Sequence, residues 1–315
     1  MSAPRPPRHP YLGAALALLG AGLFATKGIV IKLAIAEGID PLTTLTWRMI
    51  VAVPIFLTVG IIYYRRQHPK DGPRVLDGPT LIRTLLVGVL GYYVASFLDF
   101  QALAFISAQL DRLILLTYPF FVVLFGAVFM RRRVTPLMVA ALLVSYAGIA
   151  LIFAHDLSIE GKDVLLGSAL VLGAAIAYGA YQFLAKPLID RLGPELFTSL
   201  AMSAAGFSVI PHFLVTHPVS ALAVTGPGFL LMLAIGTIAT VLPAYCTSAA
   251  IGLIGSERTA VIGNVSPVVT VALAIGILGE TFTPWHALGT ALVLSGVVLF
   301  TRRARLKPVE PELEG

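Results

Sequence analysis

The sequence predicts an all-α integral membrane protein with ten transmembrane helices arranged as two inverted five-helix repeats. Of its 315 residues, 57% are hydrophobic and only 12% are charged, whereas a soluble domain carries about 25% charged residues. The chain contains ten runs of about 20 apolar residues, each long enough to cross a hydrocarbon layer of ~30 Å. The chain also matches itself at a shift of 148 residues.

The predicted helices follow one another with short connections. They occupy about residues 12–35, 42–64, 80–104, 107–130, 136–154, 164–188, 195–215, 227–250, 256–279 and 284–301. Gly, Pro and charged residues separate them, as at 65–73 and 192–194, because such residues end one helix and begin the next. A basic, proline-rich tail is predicted at residues 1–10 and a disordered tail at 304–315.

The distribution of positive charge predicts the orientation. With the N-terminus inside, fourteen lysines and arginines of the tails and connections lie on the cytoplasmic side, and Lys162 alone lies outside. Both termini are therefore predicted to be cytoplasmic. The short tails and spare connections favour a multi-pass protein of a bacterial inner membrane. Since topology and anionic lipid headgroups account for the net charge of +6, we predict no nucleic-acid partner.

The two halves of the chain are predicted to be repeats, at residues 11–155 and 156–303. A shift of 148 residues lays Pro119 on Pro267, Thr135–Pro136 on Thr283–Pro284 and Gly148 on Gly296, and a shift of 154 lays Lys32 on Lys186. Because five is odd, the second copy must have the opposite orientation in the bilayer. Inverted repeats are typical of secondary transporters, with the substrate site near the midplane between the halves.

The end of the second repeat resembles a known family. Ile277–Phe300, ILGETFTPWHALGTALVLSGVVLF, resembles the end of an EamA domain, with Gly-Glu at a helix end and a proline shortly after it. With Pro267 and two copies, the chain resembles the ten-helix exporters of the drug/metabolite transporter superfamily. The resemblance implies export of amino acids or related small metabolites, and a cavity lined by helices 1, 3, 4, 6, 8 and 9. The first copy has Arg131–Arg133 in place of Gly-Glu, so we interpret Glu280 as a polar cap.

Charges inside the predicted helices are candidate site residues, because a charge in hydrocarbon costs on the order of 3 kcal/mol or more. Lys32 lies near the outer end of helix 1 and can snorkel. Lys27 lies about nine residues inside that end, roughly 12 Å, so it needs a partner or a water-filled cavity. Candidates at similar depth are Arg48, Asp99, Asp111 and Arg112. Together they predict a polar vestibule or an outer gate, or alternatively ion pairs that only fix helix packing.

Other polar residues share helix faces and predict cavity walls. They are Tyr92, Ser96 and Asp99 on helix 3, Tyr178, Tyr181 and Gln182 on helix 6, and Glu257 and Asn264 on helix 9. Tyrosines suit a small zwitterionic or aromatic substrate, although they also serve as packing residues. Pro119 and Pro267 are predicted to kink helices 4 and 9 near their middles, as hinges or as fixed bends.

The predicted mechanism is alternating access without catalysis. Lys27 is expected to meet a substrate carboxylate, and Asp99 an ammonium group or a proton; Glu257 is a second candidate proton carrier. The chain has one cysteine and six scattered histidines and no GxxxxGK[ST] loop, so we predict no cofactor, no metal and no ATP hydrolysis. The expected partners are a small molecule, lipid and, if transport is coupled, protons, with a homodimer left open. The alternatives are an intramembrane enzyme acting on a lipid-linked substrate, an assembly or sensor subunit, and an importer of the same fold.

Overall fold

A computed structural model describes residues 10–67, 76–130, 135–224, 226–254, 259, 262–263 and 265–304. Within these ranges the chain is helical and contains no strand. Eight helices are long and apolar enough to cross a membrane, and two shorter apolar helices follow at Ser266–Leu278 and Pro284–Leu299. The predicted multi-pass, all-α class is confirmed.

We number the long helices α1–α10 in the order of the predicted ones. The continuous helices are α1 (Pro10–Ala36), α2 (Pro41–Gln67), α5 (Pro136–Glu160), α6 (Asp163–Leu192), α7 (Pro194–Thr216), α9 (Ser266–Leu278) and α10 (Pro284–Ala304). The interrupted helices are α3 (Gly78–Gly88, a π-helical segment Val89–Val94, Ala95–Ala102), α4 (Ala108–Leu115, Tyr118–Met130) and α8 (Pro227–Gly236, a π-helical segment Thr237–Val241, Leu242–Ile254). A short 3₁₀ turn at Val219–Leu222 precedes α8.

Local sequence signals account for most helix ends. Thr135 caps α5 by accepting a hydrogen bond from the Met138 backbone N–H, and Pro136 follows at the first turn, where its missing N–H costs nothing. The predicted end of helix 5 at 154 was too early. The helix continues to Glu160 and ends only at Gly161, whose φ of +82° favours glycine.

Asp77 caps the start of α3 and joins it to the end of α6. Its carboxylate accepts a hydrogen bond from the Thr80 N–H at 2.9 Å and pairs with Arg191 at 2.9 Å. Hydrogen bonds from Thr80, and next the nearby Arg191 guanidinium, lower the pKa of Asp77 from 3.8 to about 2. Both side chains are about half exposed, so this pair contributes little to stability.

The helices pack in a pattern that pairs the two halves of the chain. Helix α1 packs on α8 and α9, and α6 packs on α3 and α4. Helix α2 packs on α7, α4 on α9, and α5 on α10. Glycines allow the closest approaches: Gly88 of α3 faces the Ala201 backbone of α7, and Gly236 of α8 faces Val51 of α2. Pairwise contacts therefore link α1, α3, α4, α6, α8 and α9, the six helices that the family resemblance implies around a cavity.

The contact between α5 and α10 gives a prediction about stability. A Cβ at Gly296 would meet the Ser145 side chain and would lie 2.6 Å from the Ala141 carbonyl oxygen, which cannot move away. Gly296→Ala is therefore expected to lower the free energy of unfolding in detergent by about 1–3 kcal/mol. Gly276→Ala is the control, since nothing lies within 4 Å of its Cβ. Equal stability of the two variants would contradict this packing.

Candidate functional site

The site begins with a buried ion pair between α1 and α3. Lys27 Nζ lies 2.7 Å from Asp99 Oδ2, and the side chains are 17% and 3% exposed. The depth of Lys27 predicted a partner or a water-filled cavity, and Asp99, one of the candidates at similar depth, is its partner. The second carboxylate oxygen of Asp99 has no hydrogen-bond partner among the described residues. A buried acceptor left in this state costs about 1–3 kcal/mol, so the site has capacity for one more donor.

The first turn of α4 brings a second carboxylate and a second cation to this pair. Asp111 is buried and interacts electrostatically with Asp99, Lys27 and Arg112. The Arg112 guanidinium donates from Nη2 to the Ser266 hydroxyl at the start of α9, at 2.7 Å. Asp111 Oδ1 and Arg112 Nε lack partners within the described ranges. Free acceptors and a free donor thus lie in one buried region.

Arg48 joins α2 to the irregular parts of α3 and α8. Its side chain is buried, and it donates from Nε to Thr240 Oγ1 at 3.0 Å and from Nη1 to Ser96 Oγ at 2.9 Å. The guanidinium carbon lies 5.7 Å from the Phe100 ring centroid, a cation–π distance. Thr240 lies in the π-helical segment of α8, and Ser96 follows that of α3. Such segments are frequent at functional sites.

Tyrosines of α3, α4 and α6 form an aromatic cluster beside the charges. The Tyr181 hydroxyl donates to that of Tyr92 at 2.9 Å, and Gln182 Nε2 donates to the Tyr178 hydroxyl at 3.0 Å. The Tyr118 ring lies against Tyr178, with centroids 4.9 Å apart. Tyr178 also interacts electrostatically with Arg112, and Tyr92 with Arg48. The four predicted tyrosine and glutamine positions therefore lie in one cluster.

The predicted common face of α3 divides among three neighbours. Tyr92 contacts Tyr181 of α6, Ser96 contacts Arg48 of α2, and Asp99 contacts Lys27 of α1. The π-helical segment at Val89–Val94 precedes two of them and changes the turn from i→i+4 to i→i+5. These residues therefore connect α3 to three other helices, and their role as a cavity wall stays a prediction.

The two prolines lie at helix starts. The first part of α4 ends at Leu115, four residues before Pro119, where the proline ring would clash with the helical carbonyl. Pro267 lies in the first turn of α9 as described, and the turn at Val265 precedes it. Neither proline bends a continuous described helix, so each marks a break. Glu257 and Asn264 lie outside the described residues.

Glu280 follows the end of α9 and caps the start of α4. Its Oε1 accepts from the Ala108 N–H at 2.7 Å and its Oε2 from the Gln109 N–H at 3.2 Å. These are orphan donors of the first turn of α4, where a carboxylate is stabilising. An open groove of about 430 Å³ lies beside it, lined in part by Lys32, Phe105 and Glu280. The geometry agrees with our interpretation of Glu280 as a polar cap.

Several contacts of the site residues were not predicted from the sequence. Tyr118, Ser266, Thr240 and Phe100 each contact a predicted residue. Tyr118 and Ser266 immediately precede the two prolines that the internal repeat aligns, and this position was a usable signal. Thr240 and Phe100 carried no signal, because threonine and phenylalanine are ordinary in apolar helices.

Comparison with known proteins identifies the family. The EamA-like transporter family matches residues 11–154 and 165–302. An uncharacterized transporter, YcbK of Bacillus subtilis, is 28% identical over 87% of each chain. A probable terminal-alkyne amino-acid exporter of Streptantibioticus cattleyicolor is 29% identical over 81% of each chain. A solved crystal structure has a TM-score of 0.60 at 18% identity, over 93% of this chain and 98% of its own, and so shares the fold.

The family and the named relatives are transporters, which removes the alternative of an intramembrane enzyme. Both matched segments lie within the predicted repeats, and together they cover most of the chain. The chain therefore belongs to the EamA-like transporter family.

Proposed function

We propose that this protein is a secondary transporter that exports amino acids or related small metabolites across a bacterial inner membrane by alternating access. The observation that carries the proposal is the buried Lys27–Asp99 pair, with unpartnered polar atoms of Asp99, Asp111 and Arg112 beside it. An isolated structural ion pair has no need of further free donors and acceptors. A substrate with both an ammonium and a carboxylate group complements this set.

Structural features that recur 148 positions apart support ten membrane crossings in two repeats, at residues 11–155 and 156–303. The π-helical segments begin at Val89 and Thr237, and the helices after the two proline breaks begin at Tyr118 and Ser266. The packing is also symmetric between the halves. Helix α1 of the first half packs on α8 and α9 of the second, and α6 of the second half packs on α3 and α4 of the first. Five crossings per repeat give the second copy the inverted orientation and leave both termini in the cytoplasm.

The binding step is an exchange of partners. Lys27 and Asp99 neutralise one another at 2.7 Å in this conformation. A zwitterionic substrate replaces both interactions, its carboxylate accepting from Lys27 and its ammonium donating to Asp99. Arg112 supplies a further donor for the carboxylate. The tyrosine cluster contacts the rest of the substrate with apolar rings and hydroxyl groups.

The exchange also explains the return of the empty carrier. Without substrate, two unpaired charges in a low-dielectric region would be costly. The Lys27–Asp99 pair removes that cost, so the empty protein can change conformation without a coupling ion. In a proton-coupled exchanger, a proton on Asp99, or on Glu257 outside the described residues, takes the place of the ammonium.

Counterflow in proteoliposomes tests the function. Vesicles loaded with a pool of unlabelled amino acids are expected to accumulate a subset of labelled amino acids transiently, because exchange is driven by the internal pool. Repeating the assay with and without a pH gradient distinguishes a facilitator from a proton exchanger. Lys186→Ala is the matched control, since it removes an exposed ion pair of the same type with Asp190.

Three outcomes are informative. Accumulation that depends on Lys27 and not on Lys186 supports the proposal. In vesicles of known protein orientation, faster net transport of the amino acid toward the cytoplasmic face than away from it favours the importer alternative. Absence of counterflow for every amino acid contradicts the proposed substrate class.

A further inference from the structure

Two histidines and an aspartate converge where α5 ends and α10 begins. His155 and Asp156 come from α5, and His286 comes from the first turn of α10. One potential ligand atom from each lies within 4.8 Å of the other two. Asp156 and His286 are buried at 5% and 4% exposure, and His155 is half-buried. These residues take no part in the proposed transport site.

The distance between the two buried ligand atoms suits a tetrahedral ion. His286 Nε2 lies 3.1 Å from Asp156 Oδ1. Zinc binds imidazole nitrogen and carboxylate oxygen at about 2.0–2.2 Å, so two such ligands of one tetrahedral ion lie about 3.3 Å apart. The buried pair therefore needs only a small adjustment to hold an ion between its atoms. His155, being partly exposed, provides the third ligand and the route of entry.

Thr283 orients the central histidine. Its hydroxyl lies 2.8 Å from His286 Nδ1, its backbone N–H lies 3.4 Å from the same nitrogen, and its hydroxyl lies 3.4 Å from His155 Nε2. A ligating histidine generally hydrogen-bonds through its other nitrogen, which fixes the ring. The Thr283 hydroxyl does this here and leaves His286 Nε2 facing Asp156. Glu280 adds a further negative charge within electrostatic range of Asp156.

We propose that His155, Asp156 and His286 form a binding site for a zinc-type divalent cation that joins α5 to α10. The ion takes the position between His286 Nε2 and Asp156 Oδ1, with the imidazole hydrogen on Nδ1, where it is donated to the Thr283 hydroxyl. Three protein ligands leave a fourth position for water. The sequence predicted no metal site because its histidines are scattered, but packing of α5 on α10 brings together residues that lie far apart along the chain.

The test is metal binding to the tag-free full chain in detergent after chelation. Equilibrium dialysis with Zn²⁺ is expected to give about one ion per chain, and Co²⁺ is expected to give the visible absorption of a tetrahedral site. His286→Ala and Asp156→Asn should abolish this binding. Thr283→Val should weaken it by about 10- to 100-fold, as loss of an outer hydrogen-bond partner does.

His217→Ala is the matched control. His217 lies 3.5 Å from Asp40 in a similar but more exposed pair, which has no second histidine beside it among the residues that the structure describes. This variant should therefore bind Zn²⁺ as the wild type does. His155→Ala, which changes a partly exposed side chain, supports the result if the buried variants fail to fold. Wild-type protein without bound Zn²⁺, full binding by both His155→Ala and His286→Ala, or loss of binding in His217→Ala would overturn the proposal.

Discussion

Asp99→Asn is expected to reduce counterflow by about 10- to 100-fold. Asparagine is nearly isosteric with aspartate but cannot neutralise Lys27 or a substrate ammonium, and a charge-assisted hydrogen bond contributes about 1.5–3 kcal/mol. Removing one partner of a buried pair also destabilises the fold, by about 3–5 kcal/mol. Transport must therefore be normalised to folded protein, measured by size-exclusion chromatography and thermal unfolding of the same preparation.

A double variant separates the two roles of the pair. In Lys27→Met/Asp99→Leu both charges are replaced by apolar groups, which is often neutral or stabilising for a buried ion pair. We expect stability to recover toward that of the wild type while transport remains lost. Recovery of transport together with stability would mean that Lys27 and Asp99 only hold α1 against α3.

Arg48→Met is expected to have the next largest effect. It removes the two hydrogen bonds that join α2 to Ser96 of α3 and Thr240 of α8, and each bond to a charged group contributes about 1.5–3 kcal/mol. Because removing a buried charge also removes its desolvation cost and so offsets part of this loss, we expect the free energy of unfolding in detergent to fall by about 2–4 kcal/mol, and counterflow to fall at least tenfold in the remaining folded protein. The π-helical segment of α8 and the regular helix that follows the π-helical segment of α3 lose their common contact.

Arg48→Lys refines this prediction. Lysine keeps the positive charge but lacks the planar fork that contacts both hydroxyl groups, so we expect it to recover less than half of the lost stability. Arg83→Met serves as control because Arg83 is exposed on α3, where substitutions usually change stability by less than about 0.5 kcal/mol. A fully active, fully stable Arg48→Lys protein would show that charge alone matters at this position.

The sequence predicted the fold class and most of the buried polar residues for a physical reason. Apolar runs of about 20 residues have few alternatives in a chain with so little charge, and eight of the predicted spans are present as long apolar helices. Lys27 was too deep to snorkel, so it needed a partner or a water-filled cavity. Depth limited the candidate carboxylates to Asp99 and Asp111, because charged residues are rare in such helices, but it did not choose between them.

The rest depended on tertiary structure. Helical spacing placed Tyr92, Ser96 and Asp99 on one face, but it did not show which helix each of them contacts, or that Tyr92 lies in a π-helical segment. Apolar runs in the sequence do not reveal a one-residue change in helical turn. The cluster at His286 was also missed, because the sequence did not show that α5 packs on α10, where Gly148, Gly289 and Gly296 allow close contact.

The most direct test of the central claim is analogue competition in the counterflow assay. For a transported amino acid, the competitors are the amine that lacks its carboxylate and the acid that lacks its ammonium group. The wild type should reject both, Lys27→Met should discriminate less against the amine, and Asp99→Asn should discriminate less against the acid. Equal weakening of all three ligands in both variants would contradict the assignment of Lys27 to the carboxylate and Asp99 to the ammonium.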